Sequence, residues 1–429
     1  MMRRIVSTLL VAGLGAGAAA QSSQPSADRS LVVRDVTLID GTGRAAQAHV
    51  SIVVRAGRVS RIVPGEAGNE AELTINGAGL FAIPGLFDAH VHLSPAPWSQ
   101  RADQLNRLLL GGVTSVFDLA GDAREVGDFA RATLAGEIDG PSIFYCALMA
   151  GPAFFTDPRV VASSLGFAAG QAPWNLSVTS DTDIVRAVAG AKGTGATAIK
   201  IYAALDATEA RRIIQEASRQ GLRTVAHATV FPAKPSDLVE AGVTMLAHAA
   251  YLVWEGSPPS VDFTKRAVGD FEHVRPDGPE IDKVLSAMVA RGTGLNPTLW
   301  IFNQSQDAAA GARKVWMNAV TRRAADAGVR IVAGTDGLLD AHDSSPILHR
   351  ELEALVTGAG LTPMQALLAA TRDAARTIGV EADRGTIEPG RAADLVLLDA
   401  NPLDDITNTR KVHFVVKDGR LVSRRPSSR

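Results

Sequence analysis

Pro84-Gly85-Leu86-Phe87-Asp88-Ala89-His90-Val91-His92-Leu93 is an apolar run that enters through a Pro-Gly turn and ends in two histidines one residue apart. In an extended chain residues i and i+2 project to the same side, so His90 and His92 offer both imidazoles to one point. That point is most simply a metal ion. A lone His-x-His also describes two ordinary core or surface histidines, so the reading depends on what lies further along. Lys200 in Ala-Ile-Lys-Ile-Tyr, His227 in Val-Ala-His-Ala, His248 in Leu-Ala-His-Ala and Asp336 in Ala-Gly-Thr-Asp-Gly each sit in or close another short apolar run.

Strand-like runs recur near 81–88, 113–119, 142–149, 196–203, 223–228, 243–248, 294–299 and 330–336, with helix-like segments between most of them. Asp206 with Glu209 forms a capping-box pattern before a helix that stops at Gly221, and Thr362, Pro363 and Gln365 repeat the start signal for a helix running to about Ile378. Eight β/α units with no dinucleotide fingerprint after the first strand predict an α/β fold of the closed (β/α)8 type, spanning 81–384. In such a barrel the active site gathers at the C-terminal ends of the strands. His90, His92, Lys200, His227, His248 and Asp336 then converge on one mouth.

Both chain ends read as β structure. Residues 31–80 carry four short strand runs punctuated by Asp40-Gly41, Gly57 and Gly65, and 385–425 carries two more, the second turning at Asp418-Gly419. Neither end has enough strands to stand alone, so a small β-sandwich built from both is expected. His49 and His413 fall on it and receive no function.

The 429 residues are 46% hydrophobic and 21% charged, ordinary for a large globular chain, and a net charge of -2 offers no basic field for nucleic acid. Met1-Met2-Arg3-Arg4, the apolar stretch to Ala20 and the small-x-small ending Ala18-Ala19-Ala20 predict a signal peptide over 1–20, followed by a flexible leader over 21–30. The protein is therefore expected to be exported, periplasmic or secreted, with no membrane anchor after cleavage. Cys146 has no partner for an intramolecular disulfide and lies in the apolar run Ile143–Met149, where a small buried side chain is expected rather than a nucleophile.

By its motifs the chain resembles the amidohydrolase superfamily over nearly its whole length beyond the leader. Pro84-Gly85-Leu86-Phe87-Asp88-Ala89-His90-Val91-His92 is similar to the family's Pro-Gly-x-x-Asp-x-His-x-His signature, and Gly385 to Asp399 with Val416 to Arg420 resemble its returning strands. Ala-Gly-Val-Thr at 241–244 and Leu-Thr-Pro-Met-Gln-Ala-Leu at 361–367 resemble the branch of imidazolonepropionase-like hydrolases and metal-dependent dipeptidases of the Xaa-Pro type. The resemblance implies two divalent metal ions, expected to be zinc, with His90, His92 and Asp336 on one and His227 and His248 on the other. It also implies that Lys200 reacts with carbon dioxide to give a carbamate that bridges the metals. Without the resemblance, Lys200 also reads as a lysine at a barrel rim, and Asp336 as a helix N-cap.

The implied chemistry is attack of a metal-bound hydroxide on an amide bond of a small peptide or N-acyl amino acid, with Asp336 shuttling the proton. Lactone, cyclic-amide or phosphoester hydrolysis stays open. Deamination is disfavoured, because no glutamate follows His227 or His248 by three residues, and a non-catalytic scaffold is disfavoured because all six ligand positions are filled. Tyr202 and Asp118 are expected at the mouth as substrate-orienting groups. Where many relatives carry arginine before that aspartate, this chain has Phe117, which removes a carboxylate clamp. The long stretches 151–181, with Phe154, Phe155, Phe167 and Trp174, and 251–279, with Trp254, Phe263 and Phe271, read equally as a lid or a satellite core. His273 and His342 are expected at the surface or behind the site. The partner is a small molecule or short peptide, with homo-oligomerisation left open.

Overall fold

The computed structural model describes residues 30–68, 71–342 and 344–422. The expected signal peptide, leader residues 21–29 and the end of the C-terminal β segment, 423–425, lie outside the described residues.

Seven parallel strands pair each with the next: Leu86–Val91, Val113–Asp118, Ser142–Ala150, Ala198–Ile201, Arg223–His227, Met245–Ala247 and Gly294–Asn296. The eighth stave, expected as a strand over 330–336, is irregular. It joins the seventh strand through the Leu295 to Ile331 bridge and the Val332 N–H donating to the Leu295 carbonyl at 2.8 Å. It joins the first through the Ala89 N–H on the Ala333 carbonyl (3.0 Å) and the Asp336 N–H on the His90 carbonyl (2.8 Å), which closes the (β/α)8 barrel. Regular pairing fails because the backbone here comes too close for side chains: a Cβ on Gly334 would lie 2.7 Å from the His90 nitrogen.

The run expected at 81–88 is divided at Gly85. Phe81–Pro84 belongs to the sheet of the chain ends, pairing with Leu395–Leu398, while Leu86–Val91 opens the barrel. Only glycine passes between them, since a Cβ would meet the Thr114 hydroxyl at 2.1 Å. The helix expected to run from 362 to about 378 is likewise two, Pro363–Ala369 and Arg372–Ile378. Its interruption has a cause. The carbonyls of Ala369 and Ala370 accept from Ala333 and Phe87 on the eighth and first staves, so they are not free to continue the helix. The other capping box forms as read, with Asp206 and Glu209 opening Ala207–Arg219.

The barrel interior is filled by Phe87, Phe117, Cys146, Val225, Met245 and Val332, so it is a packed core and not a pore. Burial pushes the Cys146 thiol well up. The two chain ends form one mixed eight-stranded sheet and not two separately bonded ones as the word sandwich implies. A bulge between Val33 and Val36, with Asp35 at φ 53°, bends its long first strand. The sheet curls until turns from its opposite edges meet, Ala393 N–H reaching the Gly57 carbonyl and Gly419 N–H the Ala393 carbonyl. Val33, Ile52, Val54, Leu395, Leu397 and Val416 share the enclosed core. Arg384 clamps this sheet to the barrel, donating to Asp394 (2.9 Å) and to the Ser142 hydroxyl (3.0 Å). His49 and His413 lie on its rim, paired with Asp35 and Asp399. No helix among the described residues is long and apolar enough to cross a membrane.

Candidate metal centre

The first strand delivers His90 and His92 to the barrel mouth with ring centroids 5.4 Å apart, and the eighth stave brings Asp336 to meet them. Asp336 Oδ1 lies 3.1 Å from His92 Nε2 and 3.5 Å from His90 Nε2. Ligand atoms of these three side chains fall within 4.8 Å of one another, close enough to hold a metal ion. His248 stands 5.0 Å from His90, and His227 stands 4.9 Å from His248, centroid to centroid. Lys200 closes the ring from the fourth strand. Its side chain is fully buried and its Nζ has no hydrogen-bond partner among the described residues.

Proton placement prepares these imidazoles as ligands. Asn296 spends its amide nitrogen on the carbonyls of Val332 (3.0 Å) and Gly334 (3.1 Å), so its Oδ1 accepts from His90 Nδ1 at 2.8 Å. His90 Nε2 is left with its lone pair facing Asp336. Thr298 donates to the Pro297 carbonyl and accepts from His248 Nδ1 at 2.8 Å, and His92 Nδ1 donates to the Ala120 carbonyl at 3.1 Å. In His227 it is Nδ1 that carries the lone pair, because it faces Arg266 Nη1, which only donates. Hydrogen bonds of this kind fix the tautomer and aim of metal-binding imidazoles.

Electrostatics agree with that placement. Burial pulls His90 down to about 3 and holds His227 and His248 well below the ordinary imidazole value, so all three are neutral at pH 7. Burial also lowers Lys200 to about 8, which leaves an appreciable neutral amine. For His92, burial is outweighed by the hydrogen bond and charge of Asp336, and its pKa rises. For Asp336 burial is outweighed in turn by the neighbouring imidazoles, which hold its carboxyl far below the usual range. Three neutral imidazoles, two of them with their protons turned to Asn296 and Thr298, a fourth beside a carboxylate and an orphaned amine make a donor set that fits divalent cations.

The backbone supports this at a cost. Asp336 (φ 58°) and His248 (φ 72°) are both left-handed without being glycine, a conformation worth about 1–3 kcal/mol of strain each. Each is pinned, Asp336 N–H on the His90 carbonyl and His248 N–H on the Asn296 carbonyl at 2.7 Å. Asp88, the acid of the opening motif, ties first stave to eighth by accepting from Thr335 N–H (3.0 Å) and its hydroxyl (2.7 Å). Burial pushes Asp88 up to about 7 despite these bonds.

The remaining candidates divide. Tyr202 lies at the mouth, its ring 4.0 Å from His227 and stacked 4.3 Å from Phe154. Asp118 does not present a free carboxylate there. It is fully buried, with Oδ2 accepting from Leu93 N–H at 2.6 Å and Oδ1 from Ala120 N–H at 3.0 Å, so it shapes the loops carrying His92 and not a substrate. The two long stretches meet over the mouth, Phe154 against Phe263 at 5.6 Å, while Asn175–Ser177 adds a short strand beside the end of the third strand. Phe154, Phe155 and Trp174 are buried, so 151–181 is packed as a cap. His273 and His342 are exposed.

Sequence reasoning missed Asn296, Thr298, Glu351 and Arg266. Glu351 is buried and accepts from the N–H groups of Leu299 (2.9 Å) and Trp300 (2.7 Å), fixing the loop that holds Thr298. Burial raises it from 4.5 to about 7. A raised carboxyl stabilises the fold fully below pH 4.5, and that contribution is lost as pH rises through about 7. Glu351→Gln orphans one N–H and is expected to cost about 1–3 kcal/mol at pH 5. The gap to wild type should narrow by pH 8, where wild type buries a charge. Urea unfolding at both pH values reads this, and a gap that widens with pH contradicts it.

Comparison with known proteins follows the geometry. A profile of the amidohydrolase family matches residues 81–422. The chain is 28% identical to an ochratoxinase of Aspergillus niger over 395 residues, covering 79% of this chain and 75% of that protein. It is 25% identical to an imidazolonepropionase of Maricaulis maris over 398 residues, covering 84% and 89% respectively. Among solved structures it is similar to a Xaa-Pro dipeptidase with methionine bound in its active site, with a TM-score of 0.73 and 21% identity, covering 92% of this chain and 99% of the other.

Proposed function

This chain belongs to the amidohydrolase family, and from that premise we propose that it is a binuclear metal-dependent hydrolase cleaving amide C–N bonds of small peptides or N-acyl amino acids. The observation that carries the proposal is Lys200: a fully buried amine with no partner among the described residues, inside a ring of four imidazoles and a carboxylate. A purely structural lysine would not be left so. As a neutral amine it adds to carbon dioxide, the nitrogen lone pair forming the C–N bond and a proton passing to solvent, and the carbamate gains the negative oxygens that a site between two cations requires. His90, His92 and Asp336 would hold one cation and His227 and His248 the other, with the Lys200 carbamate shared.

When bound, divalent cations, of which zinc suits these donors, supply Lewis acidity and an ionised water near neutral pH. The protein's own groups do the rest. Asp336, kept ionised by its imidazole neighbours, is placed to take the proton of the attacking water and return it to the leaving amine. Asn296, Thr298 and the Ala120 carbonyl hold His90, His248 and His92 in the tautomers that leave Nε2 free. The cap of Phe154, Tyr202 and Phe263 limits water. The similarity to an ochratoxinase and a Xaa-Pro dipeptidase favours amides over esters. Export, expected from the sequence over 1–20, would put this activity outside the cytoplasm.

A panel of dipeptides and N-acyl amino acids, with lactones and phosphotriesters alongside, tests the reading. Turnover of amides with kcat/KM above about 10⁴ M⁻¹s⁻¹, the lower reach of ordinary enzymes, is expected. Turnover confined to the lactones or phosphotriesters would falsify it.

A further inference from the structure

Arg266 lies on the 3-10 turn Phe263–Val268 within the long stretch after the sixth strand. Its guanidinium carbon sits 4.9 Å from the ring centre of Tyr202 and 5.6 Å from those of Tyr251 and Phe263, and its Nη1 touches His227 Nδ1. No carboxylate among the described residues pairs with it. Its neighbours in the same region differ: Arg159 is paired with Asp157 at 2.6 Å and Arg313 with Asp307 at 2.7 Å. A half-buried guanidinium held by aromatic faces and one imidazole nitrogen lacks the forked acceptor its geometry fits. Phe117, where many relatives have arginine, is buried in the barrel interior and brings no charge to the mouth.

We propose that Arg266 receives a free carboxylate on the leaving-group side of the scissile amide, so that this enzyme requires dipeptides or N-acyl amino acids with an unblocked C-terminus. The proposal rests on the amide-hydrolase reading above. The lone pair of His227 Nδ1 cannot serve both a cation and Arg266, so uptake of a cation turns the guanidinium outward. Tyr202, Tyr251 and Phe263 keep it over the mouth. An α-carboxylate, one carbon from the amide nitrogen, then lies within the reach of the arginine side chain. The same rings offer an apolar wall to the residue bearing that carboxylate.

The test compares N-acetyl-L-phenylalanine with its C-terminal carboxamide on the metal-loaded enzyme. Wild type is expected to prefer the acid by about 30- to 1,000-fold in kcat/KM, the range for a buried charge-assisted pair. Arg266→Met should erase that preference by raising KM for the acid and not for the carboxamide, and Arg266→Lys should restore part of it. Equal turnover of acid and carboxamide by wild type, or a KM rise shared by both in Arg266→Met, overturns the proposal. Calorimetry with N-methylphosphonyl-L-phenylalanine and its carboxamide gives a reading without turnover. If neither acetyl compound is hydrolysed, the amide reading for them fails. Tighter binding of the acid probe to wild type, lost in Arg266→Met, still upholds the carboxylate site, and equal binding rejects it. Thermal melting of both variants separates misfolding from loss of the contact.

Discussion

Lys200→Met is expected to give a folded protein whose metal-free form is at least as heat-stable as metal-free wild type, with hydrolysis reduced by roughly 10³-fold or more and bound metal falling from about two ions per chain to about one. The stability half follows from burial. Lys200 is fully enclosed and its amine has no partner among the described residues, so a thioether of similar length removes an unsatisfied polar group without opening a cavity. The activity half follows from the proposed carbamate, since methionine would offer no anionic bridge between two cations. A lysine serving only the barrel interior would give the opposite pattern: intact turnover and unchanged metal. Melting curves, initial rates and elemental analysis of one preparation distinguish the two.

Asp336→Asn should lower kcat by about 10²- to 10⁴-fold, the usual contribution of a positioned proton carrier, with a smaller change in KM. The substitution is chosen for the backbone. Asp336 sits at φ 58°, a region asparagine tolerates nearly as well as aspartate, so the turn and its bond to the His90 carbonyl survive. What disappears is the negative charge between His90 and His92. The His92 pKa, now raised by the hydrogen bond and charge of Asp336 against the pull of burial, should fall in the variant, and NMR titration of that ring reads the change. A variant with wild-type kcat would remove Asp336 from the proton path.

The candidate ligands were legible in the sequence because each interrupts or ends an apolar run at the end of a barrel stave, where a polar side chain has few structural reasons to be. His90, His92, Lys200, His227, His248 and Asp336 all converge. Groups that aim them were not legible. Asn296 and Thr298 read as ordinary turn residues in Leu-Asn-Pro-Thr, and nothing local says that one amide spans two staves to fix His90. An asparagine ending the seventh strand, one stave removed from the first, was the available signal. Arg266 sits in a polar stretch with Lys265, which reads as solvated surface until the cap folds over the mouth. Asp118 misled for the reverse reason, since a carboxylate closing a strand looks free to orient a substrate but is spent on two backbone N–H groups. The irregular eighth stave and the divided helix near 370 share one cause. Backbone groups there bond across the barrel and not within their own element, which hydrophobic periodicity does not reveal.

Stripping the purified enzyme with a chelator and returning zinc in measured equivalents, with bicarbonate present, tests the binuclear centre most directly. Activity should be absent in the stripped protein and should rise steeply only as the second equivalent per chain is taken up. Full turnover in metal-free protein, or activity complete at one equivalent and indifferent to Lys200→Met, would contradict it.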